Sequence, residues 1–388
     1  MTPAARAAAA IEILDRILAG QPAEPALIGW ARGNRFAGSG DRAAIRDLVF
    51  DALRCRESFA ALGGARSGRG LILGRCRAQG IDPDDIFTDD RHAPAPLSPD
   101  EQNAGAPAQG YAAVDCPDWL GPQLQDSLGA DFAPVMTAQQ ARAPVFLRVN
   151  PRRASLAQAQ AALARDGIAT QPHPLAKTAL EVIENARKIQ QSEAFQTGMV
   201  ELQDAASQAV VDALPQRPGM RVLDYCAGGG GKTLALAAQL DGKFSAHDID
   251  PGRMRDLPAR AARAGVRVTI LPPGGVRGGF DLVLVDAPCS GSGTWRRTPD
   301  AKWRLTPARL AELVDLQAAI LDQAAAHVAP GGTLAYMTCS LLRAENEDQA
   351  AAFAARSHWP LGAQRRLTPL DGGDGFYTAL FTRPERVD

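Results

Sequence analysis

Several features that mark large protein classes are missing from this sequence. Its six cysteines (Cys55, Cys76, Cys116, Cys226, Cys289 and Cys339) include no CxxC pair and no dense spacing. That argues against a disulfide framework and against a zinc site, so no metal is expected and a reducing, cytoplasmic setting is. No stretch approaches the roughly 18 consecutive apolar residues of a membrane span. The first ten residues are Ala-rich and lack the charged start, apolar run and cleavage site of a secretory leader. One-sided charge is absent too: 42 Lys and Arg stand against 43 Asp and Glu, a net charge of −1, so no global positive field announces a polyanion.

What is present is uneven. Residues 31–77 hold ten Arg against four acids, residues 82–101 seven acids against one Arg, and residues 296–309 five basic residues against Asp300. A chain of 388 residues has room for two or three domains. Residues 3–20 read as a helix: Thr2 and Pro3 suit the N-cap and first turn, Ile11, Leu14, Ile17 and Leu18 share a face, and Gly20 closes it. Ile45, Leu48, Val49, Ala52 and Leu53 repeat that spacing. Residues 1–90 are therefore expected to form a small helical domain with Arg on its polar faces, either a solvated surface or a nucleic-acid-binding one.

Residues 91–115, rich in Pro, Ala and Gly, read as a linker. Residues 116–200 read as a small α/β subdomain, opened by a helix after Pro117 and followed by a strand over 144–150 and a helix over 155–165. From residue 201 to 388 strands and helices alternate. Strands are expected at 221–225, 244–250, 266–271, 282–285 and 333–337, with helices at 233–240 and 307–328. Such alternation predicts a parallel, doubly wound sheet.

The loop Cys226, Ala227, Gly228, Gly229, Gly230, Gly231, Lys232 joins a strand to a helix, where glycines let a backbone approach a ligand. Lys232 and Thr233 look like the end of a phosphate-binding loop, but that loop needs a Gly where Cys226 stands. GxGxxG is also missing, which speaks against a nicotinamide dehydrogenase. Asp248 ends the next strand, where an acid can accept hydrogen bonds from a ribose, whereas Asp250 suits a helix cap before Pro251. Asp286, Pro288 and Cys289 follow the apolar run 282–285, and Cys339 follows the strand 333–337. A free Cys is usually a small core hydrophobe. Two thiols placed alike past strand ends, each flanked by polar residues, fit covalent chemistry better.

Here the residues resemble a known family. Asp286-Ala-Pro-Cys-Ser290 with the following 296–303 (RRTPDAKW), and Thr338-Cys-Ser340 with Glu345-Asn-Glu347, look like the RsmB/Nop2/Sun family of RNA cytosine-5 methyltransferases. The loop 226–232, Asp248-Ile-Asp250 and Asp374-Gly-Phe-Tyr377 resemble the same family, over a stretch from about Pro117 to the C-terminus. More weakly, the N-terminal helices resemble a shortened NusB-like RNA-binding domain. The resemblance implies a Rossmann-like methyltransferase sheet behind an all-helical NusB-like domain and an RRM-like α/β subdomain. It implies S-adenosylmethionine as cofactor, held by 226–232, Asp248 and Asp286, and RNA as partner, ribosomal ahead of transfer RNA; a monomer is expected. In the family the thiol of the TCS motif, here Cys339, attacks carbon 6 of cytosine; that of the PCS motif, Cys289, helps to break down the adduct; and Asp286 holds ring nitrogen 3. Arg296, Arg297, Lys302 and Arg304 become candidate phosphate contacts, with Trp295 and Trp303 expected to pack.

Two departures stand out. Gly228 and Gly229 replace the family's Ala and Pro. The turn Leu271-Pro-Pro-Gly-Gly275 lacks the acid that normally contacts adenine. The second keeps open a non-catalytic RNA-binding protein on a degenerate sheet as the alternative.

Overall fold

The computed structural model describes residues 1–385 and divides into two compact units, residues 1–142 with 295–305, and residues 143–294 with 306 onward. The first unit is helical. Helices Pro3–Leu18, Ala23–Gly33, Ser39–Arg54, Arg56–Gly63 and Gly68–Gln79 enclose Ile13, Leu14, Ile45, Val49, Leu53, Leu71 and Leu73. Thr2 caps the first helix as its sequence implies, its hydroxyl accepting from Ala5 N at 3.1 Å.

The segment 91–115 is more than a spacer. Ser98 and Glu101 form a capping box, and Glu101 accepts from Arg69 Nε at 2.6 Å. Arg77 donates to the carbonyls of Leu62 and Ala104. Asp115, at φ 51°, caps helix 56–63 by accepting from Glu57 N (2.8 Å) and Ser58 N (3.0 Å). The helices Gly121–Leu128 and Phe132–Gln140, expected to open the α/β subdomain, lie in this helical unit, where Gln140 Nε2 donates to Asp115 at 2.7 Å. Much of the Arg excess is matched locally: Arg6 pairs with Asp41, Arg46 with Glu24, and Arg56 and Arg66 with Glu57.

The second unit holds two sheets. Strands β1 (Val145–Val149), β2 (Thr170–Pro172), β3 (Ala179–Val182) and β4 (Val200–Leu202) form an antiparallel sheet in the order β2-β3-β1-β4, packed against helix Leu156–Arg165. Strands β5 (Arg221–Asp224), β6 (Lys243–His247), β7 (Val268–Leu271), β8 (Phe280–Asp286), β9 (Val328–Thr338), β10 (Leu361–Leu367) and β11 (Phe376–Thr382) form the larger sheet, ordered β10-β11-β9-β8-β5-β6-β7. Successive side chains face opposite sides. Val222, Leu282, Leu284, Ala335 and Met337 pack toward helix Ala205–Asp212, and Leu223, Val283, Val285, Leu334 and Tyr336 toward helices Pro307–Ala325 and Glu347–Ser357. Apolar runs without alternation are the mark of strands covered on both faces.

The sheet is not wholly parallel. Strand β11 runs antiparallel to both β9 and β10, pairing Phe381 with Leu334 and Tyr377 with Thr338. Its alternation with the short turn at 369–375 carries no sign of direction, so the reversal is absent from local sequence. Between helix Pro299–Arg304 and its surroundings lies a second surprise. Residues 295–305 leave the second unit just after Thr294 and pack among the N-terminal helices.

Candidate active site

The carboxyl ends of β5, β6, β8 and β9 assemble one site in the second unit. The loop 226–232 turns with Gly228 at φ 51° and Gly230 at φ 76°, and a Cβ on Gly230 would sit 2.3 Å from Leu257 Cδ1. Only glycine meets both demands cheaply. Asp248, 1% exposed, accepts from Gly228 N at 2.9 Å through Oδ2 and from Asp250 N at 3.0 Å through Oδ1. Arg253 lies 3.2 Å from it. The acid thus fixes the loop and keeps spare lone pairs for a hydroxyl ligand. Asp250 caps the turn after it, accepting from Gly252 N, as its sequence position implies.

At the end of β8, Asp286 accepts from Lys232 Nζ at 2.6 Å, and that ammonium also sits 4.7 Å over the Phe376 ring. The helix start thereby delivers Lys232 to the acid, leaving Asp286 36% exposed. Asp224, at the end of β5, is buried beside them. Its Oδ2 accepts from Thr233 Oγ1 at 2.6 Å and its Oδ1 has no partner; burial pushes its carboxyl up to about 6.

The two thiols meet. Cys289 Sγ lies 3.4 Å from Cys339 Sγ, although the residues are fifty apart in sequence. The neighbouring Cys339 sulfur and burial push the Cys289 thiol well above its ordinary range. Register explains the meeting: β8 and β9 pair Asp286 with Met337, so both chains leave the sheet together.

Beneath the thiols lies a fully buried carboxylate, Glu345. Its Oε1 accepts from Ser290 N (2.8 Å) and Gln317 Nε2 (3.0 Å), and its Oε2 from the hydroxyls of Ser290 and Ser340 (2.5 Å each). Each serine directly follows one cysteine. Asn346 extends the network, accepting from Thr338 Oγ1 at 2.6 Å and donating to Ser340 O at 2.9 Å. The loop after Cys289 is pinned further where Gly293 N donates to Cys339 O at 2.9 Å.

Sequence reasoning found Cys289, Cys339, Asp286, Lys232, the glycine loop and Asp248, and the structure gathers them. It missed Asp224, hidden as an ordinary strand residue, and gave Glu345 only as part of a resembling motif. Ile249, likewise given only within a resembling motif, is 81% exposed beside Asp248. An apolar side chain between two acids was the available signal. At the turn after β7 no acid appears: Gly275 N donates to Pro272 O, and Arg277 donates to the carbonyls of Gly274 and Val276.

Two of the four expected phosphate contacts, Lys302 and Arg296, require correction. Lys302 is 1% exposed; its ammonium donates to Arg54 O at 3.2 Å and lies over the Trp303 ring. Arg296 is buried as well, its carbonyl accepting from Arg54 Nε at 2.7 Å. Arg297 is half-buried, and Arg304 stays exposed, 4.0 Å from Asp300. Trp295 is buried and Trp303 donates to Leu53 O at 2.7 Å under the Arg56 guanidinium, so both tryptophans pack. The basic run therefore serves mainly to anchor this segment in the helical unit.

Comparison with known proteins matches this arrangement. Residues 211–382 fit the model of the 16S rRNA methyltransferase RsmB/F, and residues 116–190 the RsmF/B-like ferredoxin-like domain. Over these residues the chain belongs to the RsmB/F methyltransferase family. Ribosomal RNA small subunit methyltransferase B of Vibrio cholerae is 34% identical over 283 residues, 69% of this chain and 65% of the relative. The Klebsiella pneumoniae protein of that name is 36% identical over 282 residues, 68% of this chain and 65% of the relative. The match thus spans slightly under two thirds of the length of these relatives. Among solved structures, PH0851 superposes with a TM-score of 0.74 at 22% identity, covering 100% of this chain and 99% of its own. A methyltransferase homologue from Pyrococcus horikoshii superposes with a TM-score of 0.62 at 25% identity, covering 70% of this chain and 97% of its own. The RsmB/F fold is thus a Rossmann-like sheet joined to a ferredoxin-like sheet and preceded by helices. No helix among the described residues is long and apolar enough to cross a membrane.

Proposed function

We propose that this protein transfers a methyl group from S-adenosylmethionine to carbon 5 of a cytosine in small-subunit ribosomal RNA, as a monomer in the cytoplasm. The observation that carries the reading is the 3.4 Å approach of the Cys289 and Cys339 sulfurs beside Asp286. The residues present fit the methyl donor. Loop 226–232 turns through Gly228 and Gly230 in the left-handed conformation that lets a backbone approach a ligand, Asp248 has lone pairs free for ribose hydroxyls, and exposed Ile249 suits an adenine face. When bound, the donor supplies an electrophilic methyl group.

Carbon 5 of cytosine is a weak nucleophile. Cys339, as thiolate, adds to carbon 6 and pushes the ring electron pair toward carbon 5. Asp286 brings a proton to ring nitrogen 3, where negative charge gathers, and Lys232 holds Asp286 in place. After carbon 5 has taken the methyl group, water takes its proton; the electron pair left behind restores the ring double bond and expels the Cys339 sulfur as thiolate. Cys289 assists this breakdown from beside that sulfur. The target base has to be unpaired or flipped out of its stack to reach the thiol.

Support for ribosomal over transfer RNA comes from the names of the related proteins. The test is to incubate Cys289→Ala protein with methyl donor and cellular RNA and look for a denaturation-resistant RNA–protein adduct. Accumulation is expected in Cys289→Ala and none in the variant lacking both thiols; an adduct surviving loss of Cys339 alone would reverse the two roles. The alternative, a non-catalytic RNA-binding protein, is motivated by Arg277 and the acid-free turn after β7. It predicts no heat of methyl-donor binding by calorimetry.

A further inference from the structure

A concave basic surface lies at the other end of the strands that carry the site. In a doubly wound sheet each crossover normally supplies a helix that covers one face. The connection from β7 to β8 spans only residues 272–279, built on Pro272, Pro273, Gly274 and Gly275, and forms a turn. The face of β6 and β7 beneath it is therefore left open as a cleft of about 750 Å³. Ser245 and Thr269, paired in register on β6 and β7, line its floor. Arg221 from the start of β5, Lys243 from the start of β6, Arg267 beside β7 and Arg277 from the turn surround it, all exposed. No carboxylate lines the cleft, and no ion pair to these four cations occurs among the described residues. Asp281 accepts the backbone N–H of Arg221.

This clustering is unusual for the chain. The overall charge is −1, and most arginines of the helical unit have acids beside them. Arg277 also donates to the turn carbonyls and Arg221 lies over the Phe280 ring, but none of the four has an acid to offset its charge, and they repel each other around one cleft. Their common complement is a run of phosphates. The four cations come from separate strand starts and the turn, a spread suited to successive phosphodiesters. Strand β6 runs from Lys243 at the cleft to His247 next to Asp248 at the site, four steps or roughly 13 Å. One RNA can therefore reach both places.

We propose that the open face at Arg221, Lys243, Arg267 and Arg277 is a docking surface for the phosphate backbone of the substrate RNA, outside the target nucleotide. This rests on the RNA-methyltransferase reading. The experiment compares wild type with Lys243→Gln/Arg267→Gln for binding to a small-subunit ribosomal RNA transcript across a salt series. Both side chains are exposed and unpaired, so the variant is expected to keep its melting temperature and its methyl-donor affinity. Each lost phosphate contact lowers the slope of log affinity against log salt by about 0.7 on single strands to about 0.9 on duplex. The expected result is a slope shallower by roughly 1.5 and affinity about tenfold weaker at low salt. Unchanged slope and affinity would overturn the proposal. So would unchanged binding to naked RNA with weakened binding to intact small subunits, which would assign the face to an acidic protein. Failure of wild type to bind RNA at all would instead bring down the reading beneath it.

Discussion

Replacing Glu345 tests how the two thiols are held. The carboxylate is buried, receives four donors, and has no cationic partner among the described residues. In Glu345→Ala the Ser290 amide, the Gln317 amide and two serine hydroxyls lose their acceptor together. A buried donor left unmade costs about 1–3 kcal/mol, though water entering the new cavity recovers part. A net loss on the order of 4 kcal/mol is expected, comparable to opening a buried ionic network. For a unit of this size that is a fall of roughly 10 °C in melting temperature. Glu345→Gln keeps one oxygen for the two N–H donors, and the hydroxyls can turn to accept from the new amide. Its cost should stay near 1 kcal/mol. Urea unfolding of the two variants against wild type measures the difference. A second readout follows the sulfurs: a disulfide needs them at about 2.05 Å, a short closure from 3.4 Å. Oxidant-driven Cys289–Cys339 bridging should be fast in wild type, slowed little in the Gln variant and strongly in the Ala variant under conditions where each is folded. An Ala variant losing less than about 1 kcal/mol, or a Gln variant as damaged as Ala, would refute the reasoning.

Other outcomes follow from the same geometry. Asp224 is protonated up to about pH 6 when folded but only to about 3.8 when unfolded, so the folded state binds more protons between those values and stability falls as pH rises through them. Asp224→Asn should abolish that fall, leaving denaturation midpoints at pH 4 and pH 7 closer than in wild type. Lys302 behaves oppositely: burial lowers its ammonium from 10.5 to about 8, so the unfolded state holds the extra proton and stability of the helical unit climbs between pH 8 and 10.5. Lys302→Met should flatten that climb in melts at pH 7.5 and 10. Gly230→Ala forces a left-handed residue into φ 76° with its Cβ against Leu257, and should cost about 2 kcal/mol in thermal unfolding and weaken methyl-donor binding in calorimetry.

Much of the fold was legible in the sequence because its signals are local. Helix 3–18 announces itself through Thr2, Pro3 and an apolar stripe, and β5, β8 and β9 through apolar runs that end at polar turns. What stayed hidden depends on partners far along the chain. Lys302 looked like a phosphate contact because charge is counted along the sequence, while its burial is decided by Arg54, 248 residues away. Asp115 reads as a linker residue until the helix it caps, 57 residues earlier, is in place. The direction of β11 is set by its pairing with β9 and β10, not by its own alternation. The helices between Pro117 and the first strand of the small sheet, expected to open the α/β subdomain, pack with the N-terminal ones instead, although that strand itself lies where the sequence put it.

The serine after each cysteine shows how local and distant constraints combine. Neither thiol needs a serine beside it for its own chemistry. Each loop does need a hydroxyl there, because Ser290 and Ser340 both converge on Oε2 of Glu345, and Ser290 Oγ also lies 3.3 Å from Ser340 Oγ. A single carboxylate therefore ties the residue after one thiol to the residue after the other, while the pairing of β8 with β9 fixes the strand ends below. With both ends of each loop held, the sulfurs between them have little room to separate. Their 3.4 Å approach is then a property of the scaffold rather than of either cysteine, and an isosteric change at a serine should shift it as surely as a change at a thiol.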